Sequence, residues 1–358
     1  MKLFRETDKL RSISIRVTTI CFAMSIILSL GNKVSAQDPQ FSQFYAAPLY
    51  LNPALTGINQ KGSAGINYRN QWPSINTGFE TTSAYVDYNF EDYNSSVGFI
   101  ITNDQEGFAG LSSTSISVSY SYQVFLNYEW AFRPAVQVGH FWRDVDFTEL
   151  TFGDQFDANT GQIVNPTGEP ISDLSANFFD VNLGGLLFSK NAWVGLSFHH
   201  ITEPNQSLID GDSPLPKRFS IHGGYKIPLN RFTKRPVNRT GGKDRSITPA
   251  FNYRGQGDFD QLDLGVYFTL QPILIGMWYR GVPVKQFEGI ANNESIVMMV
   301  GFRKNDMSIG YSFDYTLSDL GIGSGGAHEI SWSYTFNVGK PKPPREVRQL
   351  RCPVPFSF

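Results

Sequence analysis

Ser115–Leu126 reads SISVSYSYQVFL, in which Ile116, Val118, Tyr120, Tyr122, Val124 and Leu126 alternate with Ser115, Ser117, Ser119, Ser121 and Gln123. Period two is the signature of a β-strand with one apolar face. The opposite face is small and polar, without the Lys and Glu of a water-facing sheet. The pattern returns in Ile330, Trp332, Tyr334, Phe336 and Val338 against Ser331, Ser333, Thr335 and Asn337. It returns again in Ile309, Tyr311, Phe313 and Tyr315 against Ser308, Gly310, Ser312 and Asp314, and in Leu262, Leu264, Val266, Phe268 and Leu270.

Extending this reading places strands near 61–70, 81–90, 95–103, 112–126, 129–145, 178–189, 191–200, 217–227, 246–255, 260–270, 272–280, 295–304, 306–315 and 327–338. That is about fourteen, an even number, many of the length a tilted membrane strand needs. Several even-to-odd links are tight (LNYE, SKN, the Pro272 turn, KND), while several odd-to-even links are long and rich in Gly, Pro and Asp. The expected fold is all-β: a transmembrane outer-membrane β-barrel of about 14 antiparallel strands, with an N-terminal plug-like segment. Turns and both chain ends then face the periplasm, and loops face outward. A soluble β-sandwich or propeller is the competing architecture, since it also alternates.

Composition agrees with a membrane wall. Charged residues are 17%, aromatics 14%, and there are 33 glycines; a soluble domain carries about 25% charged residues. The mean hydropathy is -0.23, and no long apolar run follows Leu30, so helical spans are not expected. The net charge of -2 and the lack of nucleic-acid motifs argue against nucleic acid as a partner, and the apolar strand faces make a lipid bilayer the expected one. Residues 1–36, with Lys2, Arg5, Lys9, Arg11 and Arg16 ahead of the apolar VTTICFAMSIILSL, read as a signal peptide cleaved after Ala36. Loss of Cys21 with it leaves Cys352 without an intramolecular partner. The expected organisation is signal 1–36, plug 37–60, barrel 61–339 and a basic periplasmic tail 340–358.

Chemistry is sparse. No GxSxG, HExxH or P-loop pattern occurs, so no catalytic residue and no cofactor are expected. His199 and His200 precede a loop carrying Asp210 and Asp212, which would allow a His/Asp pair at the outer rim; solvated rim residues are the plainer reading. FGDQFDANTG offers Asp154, Asp157, Asn159 and Gly161 as calcium ligands, though the spacing is not an EF-hand and an Asx-rich turn serves equally. The stretch PLNRFTKRPVNRTGGKDRS and the tail KPKPPREVRQLRCPVPFSF are both basic, read as solvated or as a docking surface.

QDPQFSQFYAAPLYLNPALTG, Gln37–Gly57, is too apolar for a solvated tail and too Pro-rich for a strand. In LNPALTG, Asn52 can cap a helical turn, Pro53 suits its first position, Ala54 follows, and Gly57 can end it in the left-handed region. Phe41, Phe44, Tyr45, Leu49, Tyr50 and Leu51 need shelter, and a fourteen-stranded lumen offers it. These residues form the candidate binding segment.

The same stretch closely resembles the mature N-terminus of the PorP/SprF family of outer-membrane proteins of type IX secretion and gliding motility. The likeness continues through FGDQFDANTG, FFDVNLGGLLFSKNAWVGLSFHHITEPNQSL and LDLGVYFTLQPILIGMWYRG. The resemblance implies a non-enzymatic barrel, either a machine component or the partner that exports and holds a surface adhesin. It implies periplasmic contacts with the secretion-ring lipoprotein and its peptidoglycan-associated partner, and contact with the C-terminal domain of a secreted cargo. The alternative is a hatch-gated channel for hydrophobic solutes, because the NPA turn also looks like the hatch of long-chain fatty-acid transporters.

Overall fold

The computed structural model describes residues 38–355 apart from 76–77, 108–109, 146–150, 158–159, 161, 164–165, 168–173, 209–210, 230–243, 288–289, 318–320 and 338–349. Among the described residues the wall is built from β1 (Gly62–Gln71), β2 (Phe79–Phe90), β3 (Ser95–Glu106), β4 (Leu111–Tyr122), β5 (Ala131–Val145), β6 (Ser175–Phe188) and β7 (Ala192–His199). It continues through β8 (Arg218–Tyr225), β9 (Arg245–Gln256), β10 (Phe259–Leu270), β11 (Ile273–Phe287), β12 (Ile290–Lys304), β13 (Met307–Thr316) and β14 (Ala327–Phe336). Two-residue pieces, Val124–Phe125 and Ile227–Pro228, continue β4 and β8 in the same register.

Each strand pairs antiparallel with the next, and β14 pairs with β1, with Ile330 opposite Tyr68. The sheet therefore closes into a fourteen-stranded barrel, which leaves no open edge around the ring and excludes the sandwich.

The alternation read from Ser115–Leu126 resolves into inside and outside. In β4, Ser117, Ser119 and Ser121 are buried, while Val118, Tyr120 and Tyr122 lie on the outer surface. In β14, Glu329, Ser331, Ser333 and Thr335 point inward, and Ile330, Trp332 and Tyr334 outward. A lipid-facing surface must be apolar, and the lumen must satisfy polar groups without bulk. Ser and Thr do this at small volume.

The tight links between β4 and β5, β6 and β7, β10 and β11, and β12 and β13 share one end, here the turn end. The long links between β5 and β6, β7 and β8, and β13 and β14 lie at the other, the loop end. Strand length differs from expectation most at β11 and β12, which run past 280 and begin before 295. Register shifts at Arg280/Gly281 and Val282/Gln286 break period two there, so the alternation fades although pairing continues.

The expected placement of both chain ends at the turn end needs correction. Asp38 lies among His200, Arg218 and Gln256, which follow β7, begin β8 and end β9 at the loop end. The described chain starts there and descends inside the barrel to β1. The described part of the tail, residues 350–355, does lie at the turn end, but it is not a solvated tail: Cys352, Pro353 and Val354 are buried. The expected signal peptide, residues 1–36, and the basic stretches at 230–243 and 338–349 lie outside the described residues.

Candidate functional site

The interior of the barrel holds residues 38–59, and nearly every side chain from Phe41 to Asn59 is buried. At the loop end the Asp38 carboxylate sits 2.7 Å from both the His200 Nε2 and the Arg218 guanidinium, and its amide donates to Gln256 Oε1 at 3.0 Å. His200 Nδ1 is 2.9 Å from Asp180. Burial by itself would lower the His200 pKa, but the carboxylates of Asp38 and Asp180 outweigh it and raise it to about 9. Burial likewise would raise Asp38, and His200 with Arg218 reverse this, holding it well below the usual carboxylate range. His200 is therefore a cation between two anions.

The sequence allowed a His/Asp pair with Asp210 and Asp212 and favoured solvated rim residues; instead His199 and His200 are both buried. His200 pairs with Asp180 and Asp38; Asp212 is exposed, and Asp210 lies outside the described residues.

One turn lower, Glu329 accepts the backbone amides of Ser42 and Gln43 at 2.6 and 3.0 Å. Ser42 Oγ donates to Asp314 at 2.6 Å, and Arg69 bridges Asp314 and Glu329 at 3.0 and 3.6 Å. Arg280 ties Asp263 and Asp314 together at 2.8 and 2.9 Å. Gln43 donates to the Glu329 carbonyl and accepts from Ser331 Oγ. Charges on the lumen face of β1, β10, β11, β13 and β14 thus converge on two residues of the segment, where low polarity makes each pairing strong and each orphan costly.

Next comes an aromatic layer. Phe44 packs on Trp278, and Tyr45 on Trp193, His222 and Tyr267. Trp193 Nε1 donates to the Tyr45 hydroxyl at 2.9 Å, so both buried polar tips are engaged. Burial pushes the Tyr45 phenol well above its ordinary value. Phe41 meets Tyr50 edge-on at 5.2 Å, and the Arg218 guanidinium lies 5.3 Å over the Tyr50 ring.

The segment then turns twice, through a short α-turn at Pro48–Leu51 and a 3-10 turn at Pro53–Leu55. Asn52 Oδ1 caps Ala54 N at 2.9 Å, and Pro53 occupies the first helical position. The Asn52 amide also donates to the carbonyls of Leu196 and Gly185 and lies 3.2 Å from His222 Nε2. Gly184 and Gly195 permit this approach: a Cβ on Gly184 would stand 2.2 Å from Asn52 Oδ1. Gly57 adopts φ +69° one residue beyond the cap Thr56, and its amide donates to Asp87 Oδ2 at 2.9 Å. The Thr56 carbonyl accepts from Ser121 and from Arg133, and its hydroxyl lies 2.8 Å from Ser119 Oγ.

The calcium candidates are engaged otherwise. Asp154 accepts from Thr167 Oγ1 at 3.0 and 3.1 Å, and Asp157 from the Thr160 amide at 2.9 Å. Asn159 and Gly161 lie outside the described residues, among which no metal-binding cluster occurs.

Residues 33–334 match the family described as type IX secretion system membrane protein PorP/SprF. The chain belongs to the PorP/SprF family. This PorP/SprF protein is an outer-membrane barrel associated with type IX secretion, and its partners lie in that apparatus. A comparison with curated protein sequences finds no match. Among solved structures, a FadL homologue of Pseudomonas aeruginosa is 11% identical with a TM-score of 0.44, covering 82% of this chain and 94% of that one. The toluene transporter TbuX of Ralstonia pickettii is 8% identical, TM-score 0.47, covering 82% and 94%. Omp33 of Acinetobacter baumannii is 8% identical, TM-score 0.40, covering 77% and 98%. Likeness at this level says nothing about what this PorP/SprF barrel carries.

Sequence reasoning picked out Phe41, Phe44, Tyr45, Asn52, Pro53, Ala54 and Gly57, and the fold brings all of them into the lumen. It missed Asp38 and the wall residues that hold them, Arg69, Asp87, Arg133, Asp180, Arg218 and Glu329, and it singled out His200 without its partners. A signal existed, because a charge on a strand face otherwise made of Ser and Thr requires a buried partner.

Proposed function

We propose that this barrel supports export or surface attachment of a secreted adhesin by the type IX machine, and that Asp38–Gly57 is the plug of its lumen. The observation that carries the plug is the row of wall charges converging on Asp38, Ser42 and Gln43. Phe41, Phe44 and Tyr45 pack; Asn52, Pro53, Ala54 and Gly57 set the path. The secretion-ring lipoprotein and its peptidoglycan-associated partner would meet the turn end, and the C-terminal domain of a secreted cargo the loop end. We assign the protein no catalysis.

The second reading, a hatch-gated channel for hydrophobic solutes, fits the interior less well. Its upper half is lined by Arg69, Arg280, Asp263, Asp314 and Glu329, and the apolar layer below is filled by the protein's own rings. The cleft beside Phe41, Phe44 and Tyr50 is also lined by Arg218, Arg254 and Asp263, a charged lining that suits a greasy solute poorly.

The test is purification from the native outer membrane through a tag in a long loop, for the natural chain and for Asn52→Ala/Pro53→Ala. The natural chain should bring secretion-ring components or a large secreted protein; the variant should insert but lose that protein and its display at the surface. Recovery alone after cross-linking, or normal display by the variant, contradicts the proposal.

A further inference from the structure

We propose that the C-terminal hexapeptide Leu350–Pro355 is a releasable latch, closing the turn end of the lumen against the N-terminal segment, and that its withdrawal admits water to the barrel. The latch is independent of which cargo the protein serves.

The hexapeptide enters the barrel beyond the last strand. Cys352 and Val354 belong to the same apolar cluster as Phe44, Tyr45, Leu51, Leu55 and Ile58, with Leu350 packed against it. Gln60 Nε2 donates to the Leu350 carbonyl at 2.8 Å, joining the tail to the last residues before β1. On one side Val354 and Pro355 face a cleft shared with Tyr45, Pro48, Leu55 and Ile58. On the other, Pro353, Val354 and Pro355 face Thr248, Leu274 and Ser308 of the wall. The hexapeptide therefore bridges the gap between the N-terminal segment and the β9–β13 side of the barrel.

Two features make this contact the releasable one. First, the N-terminal segment is fastened by buried charges and by two tight turns, whereas residues 350–355 form no helix and join no strand ladder. Contact between apolar surfaces without a ladder dissociates more readily than a paired strand. Second, the wall it faces is prepared for water. Ser308 Oγ, across the cleft from Pro353–Pro355, is buried without a hydrogen-bond partner among the described residues, as are Tyr267 OH and Trp278 Nε1 of the apolar cluster that includes Cys352 and Val354. Seating the latch excludes water from these groups and releasing it returns water to them, which keeps the seated state shallow.

The sequence leading into the hexapeptide is basic: residues 340–351 carry Lys340, Lys342, Arg345, Arg348 and Arg351 against Glu346. A partner surface of acidic chemistry that binds these basic residues would compete with the seated hexapeptide and unseat it.

Cys352 is the reporter, in a chain whose other cysteine is replaced, Cys21→Ser. In the full-length barrel a membrane-impermeant maleimide should modify Cys352 at least tenfold more slowly than in the urea-unfolded chain, and Val354→Asp should bring the rate towards the unfolded one. In planar bilayers the full-length protein should stay closed, while deletion of Leu350–Phe358 should raise conductance severalfold with the barrel still folded by its gel mobility. Modification of Cys352 at the unfolded rate, or equal conductance of the full-length and deleted chains, overturns the latch. Should the deleted chain not fold, Val354→Asp decides: unchanged conductance and unchanged labelling in that full-length variant also overturn it.

Discussion

His200 carries the clearest consequence of placing charged side chains inside a closed wall. Its pKa stands at about 9 because, although burial disfavours the cation, Asp38 and Asp180 favour it more. A folded-state value above the ordinary 6.5 means that this stabilisation is full below about pH 6.5 and disappears as pH rises through about 9, worth up to about 3 kcal/mol. Asp38 works oppositely: its depressed value adds stability above the ordinary carboxylate range, lost only as pH falls through it. Between these limits the upper end of the segment is pinned, and alkali loosens it first. Amide exchange at residues 38–47, corrected for intrinsic rate, should therefore quicken between pH 7 and 10, and His200→Gln should remove that dependence. A flat profile in the natural chain would show that the pair does not hold Asp38.

The element that most depends on its surroundings is the pair of turns at Pro48–Leu51 and Pro53–Leu55. Asn52 reaches the carbonyls of Gly185 and Leu196 only because β6 and β7 present glycine where the turn arrives. Gly184→Ala inserts a methyl group 2.2 Å from Asn52 Oδ1, and overpacking of this kind costs about 1–3 kcal/mol. The variant should still form the barrel, yet residues 48–57 should become accessible to protease; protection equal to the natural chain would contradict the packing described here. The turn itself was legible in LNPALTG, where Asn, Pro and Gly each have one fitting position. The strands were legible for the same local reason, since period two needs no knowledge of the partner strand. What sequence hid were relations between distant residues. Nothing in the neighbourhood of His200 indicates that its partners are Asp180 and Asp38, and reading it with Asp210 and Asp212 simply favoured the nearest acids. The extension of β11 and β12 was hidden because bulges at Gly281 and Val282 erase the alternation on which the reading depended. The direction of the N-terminal segment was hidden too, because a buried aromatic run fits a lumen whichever way it points.

At the scale of the whole molecule, a barrel of this size faces opposite demands on its two surfaces. The outside needs apolar bulk, supplied by Val118, Ile330, Met298 and their neighbours. The inside is too wide for Ser and Thr to fill, and the segment 38–59 and the hexapeptide 350–355 lie within it. The N-terminal segment lies inside the wall along one defined path, and a single pair of hydroxyls reports on it. Thr56 Oγ1 and Ser119 Oγ are 2.8 Å apart, one on the segment and the other on β4. Thr56→Cys and Ser119→Cys, combined with Cys352→Ser, should form a disulfide in native outer membranes under mild oxidation, visible as a reducible change in gel mobility. A folded, membrane-inserted barrel in which this pair stays reduced, while either cysteine alone reacts freely with maleimide, would place the segment outside the lumen and contradict the account.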